Sequence, residues 1–414
     1  MDLVTEGAEI ARIAEALARA PVVAFDLEFA SADRLVPRLC LIQVAWLDGW
    51  SATEEHHRML DAPAAKIVAV EPALRLVDPM AADPGPIVAA LAAHRHVIAH
   101  APRQDLQLLA ARHGLAEMPG LIDTQLMAAF AGLGDQVGLA SLANELLGTN
   151  LGKDQQWTAW ERRPLTEAQL AYAASDVRYL PAIYAVLAQA LGADKLAWVR
   201  AESQNILADA LAAAAVTPET AWEQLGGVRG LDPGALAGVV ALAAWRQRVA
   251  IELDRPLGQV LADKILIDLA RHRPQDAGAV RAQKGLAPIA KTRADEILAV
   301  LATAVPAPAG SPRVHRSASA RAQRWAEMLL AIAHVIADET KIASRLLATR
   351  GDAEQFARVA DEQGLAATAE LPARATWRRD VLGASWYGWL AGTVAIVGDP
   401  DSARGVKLAT TSQG

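Results

Sequence analysis

Asp26 and Glu28 stand two residues apart in Pro21–Ala30, a stretch that is otherwise apolar. Alternate side chains of a strand share a face, so the two carboxylates project together while Phe25, Leu27 and Phe29 take the other side. Adjacent carboxylates repel each other unless water or a cation lies between them. Taken alone, the pair also fits a solvated edge strand. Three further residues tip the balance toward chemistry: Asp105 in the first turn of a helix, and Tyr172 and Asp176 one turn apart on a later one. Four carboxylates suit hard, oxygen-seeking cations such as Mg²⁺ or Mn²⁺, which take their remaining ligands from water and phosphate. Two such ions about 4 Å apart activate a water and neutralise the leaving oxygen of a phosphodiester. A tyrosine beside that water orients it without a histidine base.

The elements that must bring these residues together follow from periodicity. Residues 8–19 have Ile10, Ile13, Ala14 and Leu17 at helical spacing, ahead of the Asp26/Glu28 strand. Strands are expected at 39–46, 67–70, 74–78, 97–100 and 121–124. Helices are expected at 86–93, 104–112 with Gly114 as its stop, 125–131 and 139–147. This alternation indicates an α/β layered domain. Asp123 reads as a helix cap rather than a catalyst. Thr166-Glu167-Ala168-Gln169 is a capping box opening the helix that carries Tyr172 and Asp176, and Pro181 should stop or kink it. A bridging helix over 197–216 leads to helical segments at 234–253, 256–272, 276–283 and 291–304. A Pro/Ala linker follows, then helices at 318–348, 352–363 and 377–394. The tail beyond is expected to be loose. His56 and His57, being adjacent, share no face and read as loop.

Composition bounds the function. The 414 residues exceed one ordinary core, and 53% hydrophobic with 21% charged describes a globular chain. A single cysteine, Cys40, excludes a disulfide framework and a thiolate zinc site, which suits a reducing cytoplasm. No secretory signal is recognised at the N-terminus, and no apolar run of about 18 residues, so no membrane partner is expected. The net charge of -7 hides a segregation: residues 1–195 carry 15 basic against 24 acidic side chains, and residues 225–324 carry 15 against 8. A basic helical region beside an acidic one suits a polyanion-binding module next to a metal-dependent site.

Phe25-Asp26-Leu27-Glu28-Phe29, His100 to Asp105, Ile122-Asp123-Thr124-Gln125 and Tyr172 through Leu180 resemble the exonuclease motifs, with a linking segment, of ribonuclease D. That family belongs to the DEDD exonucleases whose third motif is Tyr-x-x-x-Asp. The basic helical region resembles an HRDC domain, and Glu339 to Ala348 resembles a second HRDC-like repeat, so the likeness covers nearly the whole chain. It implies a ribonuclease-H-like exonuclease domain, a mixed sheet flanked by helices, followed by two all-α HRDC-like modules. The expected divisions are 1–212 (exonuclease with bridging helix), 213–304 (HRDC), 305–312 (linker), 313–395 (second module) and 396–414 (tail). The activity implied is hydrolytic removal of nucleotides from RNA 3′ ends as nucleoside 5′-monophosphates, with two divalent ions, Mg²⁺ or Mn²⁺. The partner is RNA with a free 3′ end, tRNA precursors above all, and a monomer is expected. By motif, Asp26 bridges both metals, Glu28 and Asp176 hold the one that activates water, Asp105 holds the one beside the leaving oxygen, and Tyr172 positions the nucleophile.

His100, Arg103, Lys153 and Trp157 complete the expected site as substrate-binding residues: Arg103 and Lys153 as phosphate contacts, Trp157 as a surface for bases. Trp160 fits either stacking or the commoner role of a buried anchor. In the helical module Arg246, Arg248, Arg271, Arg273, Arg281, Lys284, Lys291 and Arg293 are available to follow an RNA backbone. Three features depart from the family pattern: a long connection over 51–70, Pro102-Arg103-Gln104 ahead of Asp105, and Pro181 early in the third-motif helix. Two other readings stand beside this one, a DNA 3′–5′ exonuclease and a non-catalytic RNA-binding scaffold. The scaffold predicts replaced metal ligands, and all four acids and the tyrosine are present.

Overall fold

A computed structural model of the chain describes residues 3–47, 71–152, 158–228, 230–305, 318–371, 376–401 and 405–411. Six strands form one sheet in the order β1-β4-β3-β2-β5-β6: β1 Leu3–Val4, β2 Val23–Ala30, β3 Arg38–Trp46, β4 Ala73–Val77, β5 Val97–Ala99 and β6 Leu121–Asp123. The sheet is mixed, with β2 antiparallel to β3 and parallel to β5. The expected extra strand at 67–70 and the 51–70 connection lie outside the described residues.

Strand alternation divides the core. Val23, Phe25 and Leu27 face the layer of α1 Gly7–Arg19, α2 Gly85–Ala93 and α3 Arg103–His113. Ala24, Leu41, Ala45 and Leu76 face the opposite layer. That layer holds α4 Thr124–Ala131, α5 Leu139–Leu147, α6 Glu167–Arg178 and α7 Leu180–Ala214. The capping box on Thr166 and Gln169 starts α6 as expected. Pro181 falls in the first turn of α7, where its missing N–H costs no hydrogen bond, so it starts a helix rather than kinking one.

The bridging helix begins close to where periodicity places it: Leu180–Ala214 is two helices joined at Gly192, whose φ of 70° and ψ of 178° break the run. Leu187 and Leu191 before the break pack in one core, and Leu207 and Ala210 near its end pack in the other. The helix thus wraps the β6 edge of the sheet. Contrary to expectation, Glu167–Ala214 contains an 18-residue window apolar enough by composition to cross a bilayer, 33% of it buried; from this stretch Leu180, Ile183, Leu187 and Leu191 pack in the core of the sheet.

After Asp232, which caps its helix by accepting from Gly234 and Ala235, come α8 Pro233–Leu253, α9 Leu257–Val260, α10 Asp263–His272, α11 Ala277–Ala282, α12 Pro288–Thr292 and α13 Ala294–Ala302. They enclose a core of their own that includes Trp222, Leu242, Leu266, Val280 and Ile297. The last region comprises α14 Ala320–Thr340, α15 Ser344–Leu347, α16 Arg350–Gln363, α17 Thr376–Arg378, a π turn at Arg379–Gly383 and α18 Ala384–Leu390. Its apolar residues, among them Leu329, Phe356 and Trp386, belong to the same core as the α6–α7 face of the sheet.

The loose tail expected over 396–414 is corrected by the structure. Val394–Asp399 (β7) and Gly405–Thr410 (β8) pair as an antiparallel hairpin, with Ile396 and Leu408 packed on the neighbouring helices. Alternating Val, Ile and Leu residues on one side of the hairpin supply that contact.

Candidate active site

β2 lies inside the sheet, flanked on both sides by partner strands. Its Asp26 and Glu28 face α6, while Leu27 between them is buried on the far side. A bulge follows at once: Glu28 pairs with Leu41 but Phe29 pairs with Leu39. Such a slip sharpens the local twist and re-aims the side chain beside it.

α6 crosses above β2, β3 and β4 and lowers Asp176 onto the pair. One carboxylate oxygen from each of Asp26, Glu28 and Asp176 lies within 4.8 Å of the others. Asp105 stands outside that closest group, buried in the first turn of α3. Its position depends on the β5–α3 turn, where Ala101 takes a left-handed φ of 52°, a conformation unfavourable for any residue with a Cβ. The turn is held by Ala101 N–H donating to Asp123 Oδ1 at 2.9 Å. Asp123 also caps α4 by accepting from Gln125 at 2.8 Å, the capping role read from sequence.

The charges respond as a cluster would. Burial, then repulsion from Asp26, Asp176 and Asp105, pushes Glu28 up to about 9. Burial and Asp26 push Asp176 up to about 8, against the opposing pull of the Tyr172 phenol. Burial drives Asp26 up to about 7 despite a hydrogen bond from the Leu27 backbone. Asp105 is raised by burial and by Asp26 and Asp123. Each of these groups would ionise more readily with a cation in their midst. Oxygen-only donors with strained like charges fit a hard divalent cation.

Tyr172 rests against Asp176 and under Trp160, whose ring centroid is 6.2 Å away. Trp160 is buried and is therefore an anchor, not a base-stacking surface. Its segment is fastened by Arg163, which spans both oxygens of Asp78 (2.6 and 2.8 Å) and reaches the carbonyls of Cys40 and Trp160.

The substrate-binding expectations fare differently. The His100 ring is largely buried, with Nδ1 2.9 Å from Thr124 Oγ1, and burial lowers it to about 4. This ties the end of β5 to α4 through Nδ1, while Nε2 of the same ring has no hydrogen-bond partner among the described residues. Arg103 is solvent-exposed and faces Asp209 of α7 at 3.5 Å rather than the acidic cluster. Lys153 and Trp157 lie outside the described residues. In the basic helical region Arg246 is 3% exposed and donates to the Leu261 carbonyl and Asp263, so it is structural. Arg281 pairs with Asp295, Arg293 with Glu252, and Arg273 donates to the Gly234 carbonyl. Arg271, Lys284 and Lys291 make no ion pair among the described residues.

One residue of the site escaped the sequence reading. Gln43, fully buried in β3, is the cross-strand partner of Asp26. The available signal was a lone polar residue in the apolar run Leu39–Trp46.

Residues 1–191 match the 3′–5′ exonuclease family and residues 235–301 match the HRDC domain. Ribonuclease D of Desulfotalea psychrophila is 30% identical over 276 residues, covering 66% of this chain and 67% of that protein. The chain belongs to the ribonuclease D family. Ribonuclease D of Jannaschia sp. is 33% identical over 278 residues, covering 66% of this chain and 65% of its own length. Ribonuclease D of Acidiphilium cryptum is 30% identical over 279 residues, and the chain spans 65% of it. The crystal structure of Escherichia coli RNase D superposes with a TM-score of 0.76 at 26% identity, over 94% of this chain and 98% of that one. A Bifidobacterium adolescentis protein, at 20% identity and a TM-score of 0.65, shares the fold. Membership accounts for the order of the parts, a ribonuclease-H-like exonuclease domain and then the HRDC helices.

Proposed function

We propose that this chain is a 3′–5′ exoribonuclease that hydrolyses the terminal phosphodiester of RNA and releases nucleoside 5′-monophosphates, using two divalent cations, Mg²⁺ or Mn²⁺. The observation that carries the reading is the convergence of Asp26, Glu28 and Asp176 from two distant stretches of a ribonuclease D family chain. When bound, the cations supply Lewis acidity, making a water nucleophilic near neutral pH and offsetting charge on the departing 3′ oxygen.

The protein's own residues do the rest. Asp26, Glu28, Asp176 and Asp105 would hold the cations: Asp26 in common, Glu28 and Asp176 on the nucleophile's side and Asp105 on the leaving group's side. The Tyr172 phenol, kept protonated by burial and by its acidic neighbours, orients the attacking water. Because the acids are raised in the metal-free protein, loading releases protons.

The substrate is RNA with a free 3′ end, tRNA precursors included, and the enzyme acts as a cytoplasmic monomer. The structural neighbour from Escherichia coli is described as an exoribonuclease involved in structured RNA processing, which supports this substrate class. Incubating the protein with 3′- and 5′-labelled RNA and DNA oligomers, with and without Mg²⁺ or Mn²⁺, tests it. Expected are metal-dependent shortening from the RNA 3′ end and none with Asp26→Asn or Asp176→Asn, both still binding RNA. Digestion by either variant would overturn the site, and equal digestion of DNA would change the substrate class.

A further inference from the structure

Gln43 has an amide with no exposed surface, and neither its Nε2 nor its Oε1 makes a hydrogen bond to a protein group. Buried side-chain amides are nearly always paired, since leaving both donor and acceptor unmet forfeits the hydrogen bonds they make with water. The register shows what lies around it. Across the sheet its neighbours are Asp26 on β2 and Leu76 on β4. Along β3, the residues sharing its face are Leu41 and Ala45. Three of these four are apolar, and the fourth is the central acid of the cluster. Directly opposed side chains in an antiparallel pair start about 5 Å apart at their Cβ atoms, within reach of a glutamine amide.

We infer that Gln43 is a positioning residue for the metal site: its amide N–H donates to the Asp26 carboxylate and fixes that carboxylate's orientation when cations are loaded. The inference rests on the metal-dependent reading above. A cation ligand with a free oxygen is oriented by whatever hydrogen-bonds that oxygen, and removing such a partner commonly weakens metal binding about 10-fold or more. Gln43 contributes no ligand and touches no reacting atom. It acts through Asp26 alone.

Gln43→Met tests the role, because it keeps the length of the side chain and removes both unpaired polar atoms. A purely structural glutamine would leave metal affinity unchanged. The positioning role predicts a melting temperature equal to or above that of the native chain, Mn²⁺ affinity by calorimetry without RNA weakened about 10-fold, and kcat reduced with KM for RNA unchanged. Gln43→Asn, whose amide is withdrawn by one methylene, carries the same expectation should the methionine variant fail to fold. Mn²⁺ affinity and kcat within twofold of the native values in a folded variant would overturn the inference. A native protein that binds no Mn²⁺ would instead overturn the metal reading itself.

Discussion

The two helical regions that follow the exonuclease domain are joined to it in opposite ways. The HRDC helices, Pro233–Ala302, close a core of their own and meet the domain beside β2 through a seam that is polar apart from Leu35, which packs on the HRDC core. Asp254 takes the Leu35 N–H at 3.2 Å and faces Arg34, Gln259 donates to the Ala32 carbonyl at 3.0 Å, and Arg255 faces Asp33. A cleft of about 380 Å³ remains between them. Among its described residues, the second region, Ala320–Leu390, has no core apart from the one it shares with the α6–α7 face. Trp377 stacks on Trp198 at 5.4 Å and meets Phe130 edge-on at 5.0 Å. Its indole N–H and Arg378 both donate to the buried Glu202 on α7. Ala343 N–H bonds the Ala129 carbonyl, and Gly132 lets the Lys341 backbone approach so closely that a Cβ there would lie 2.9 Å from the Lys341 oxygen. One region is an attached neighbour, the other a wall of the catalytic domain.

The severest test of that contrast is truncation after residue 305. Removing the second region strips one face of the catalytic core, and the shortened chain should lose its cooperative melting transition. A fragment that melts as the full chain does would refute the shared core.

Trp377→Ala is the next largest. It removes a buried aromatic and one of two donors to Glu202 Oε1, and should cost about 3–5 kcal/mol in urea denaturation. A loss below about 1 kcal/mol would reduce the shared wall to a contact.

A smaller effect separates the regions by pH. In the metal-free protein the site acids bind protons up to about 7 to 9, above the ordinary carboxylate range near 4. The folded state therefore holds more protons than the unfolded one in that window, so stability falls as pH rises through it. The HRDC carboxylates Asp232 and Glu252 are lowered instead, by backbone hydrogen bonds and by Arg293 respectively. Calorimetry between pH 5 and about 9 should show the catalytic transition moving down while the HRDC transition stays in place. Saturating Mg²⁺ should abolish the shift. Parallel movement of both transitions would break the assignment.

The mildest change is Asp254→Ala. The pair it breaks with Arg34 is solvent-exposed, and exposed pairs contribute about 0–1 kcal/mol. Urea denaturation should detect little, and a loss above about 2 kcal/mol would put the HRDC seam on the footing of the Trp377 wall.

Much of the site was legible because its acids sit on elements with strong local signals. The apolar alternation around Asp26 and Glu28 fixes their common face, and the Thr166/Gln169 box fixes where α6 begins. Gln43 was hidden because its meaning comes from register, and register between β2 and β3 is not written within either strand. Arg246 was misread for a related reason: charge is visible in sequence, burial is not. The second helical region was expected to be a separate module, since nothing in its periodicity says which core its apolar face will join. Gly192 was unremarkable in an alanine-rich run until its dihedral angles divided α7.

The two ends of the six-stranded sheet carry a last consequence. β1 is only two residues long and β6 only three. α7 lies along β6, where Ser203 Oγ accepts the Asp123 N–H at 3.1 Å. Open edges are where sheets recruit strands from other molecules. Among the described residues neither border offers the ladder that a foreign strand would need, which protects the sheet from edge-to-edge aggregation.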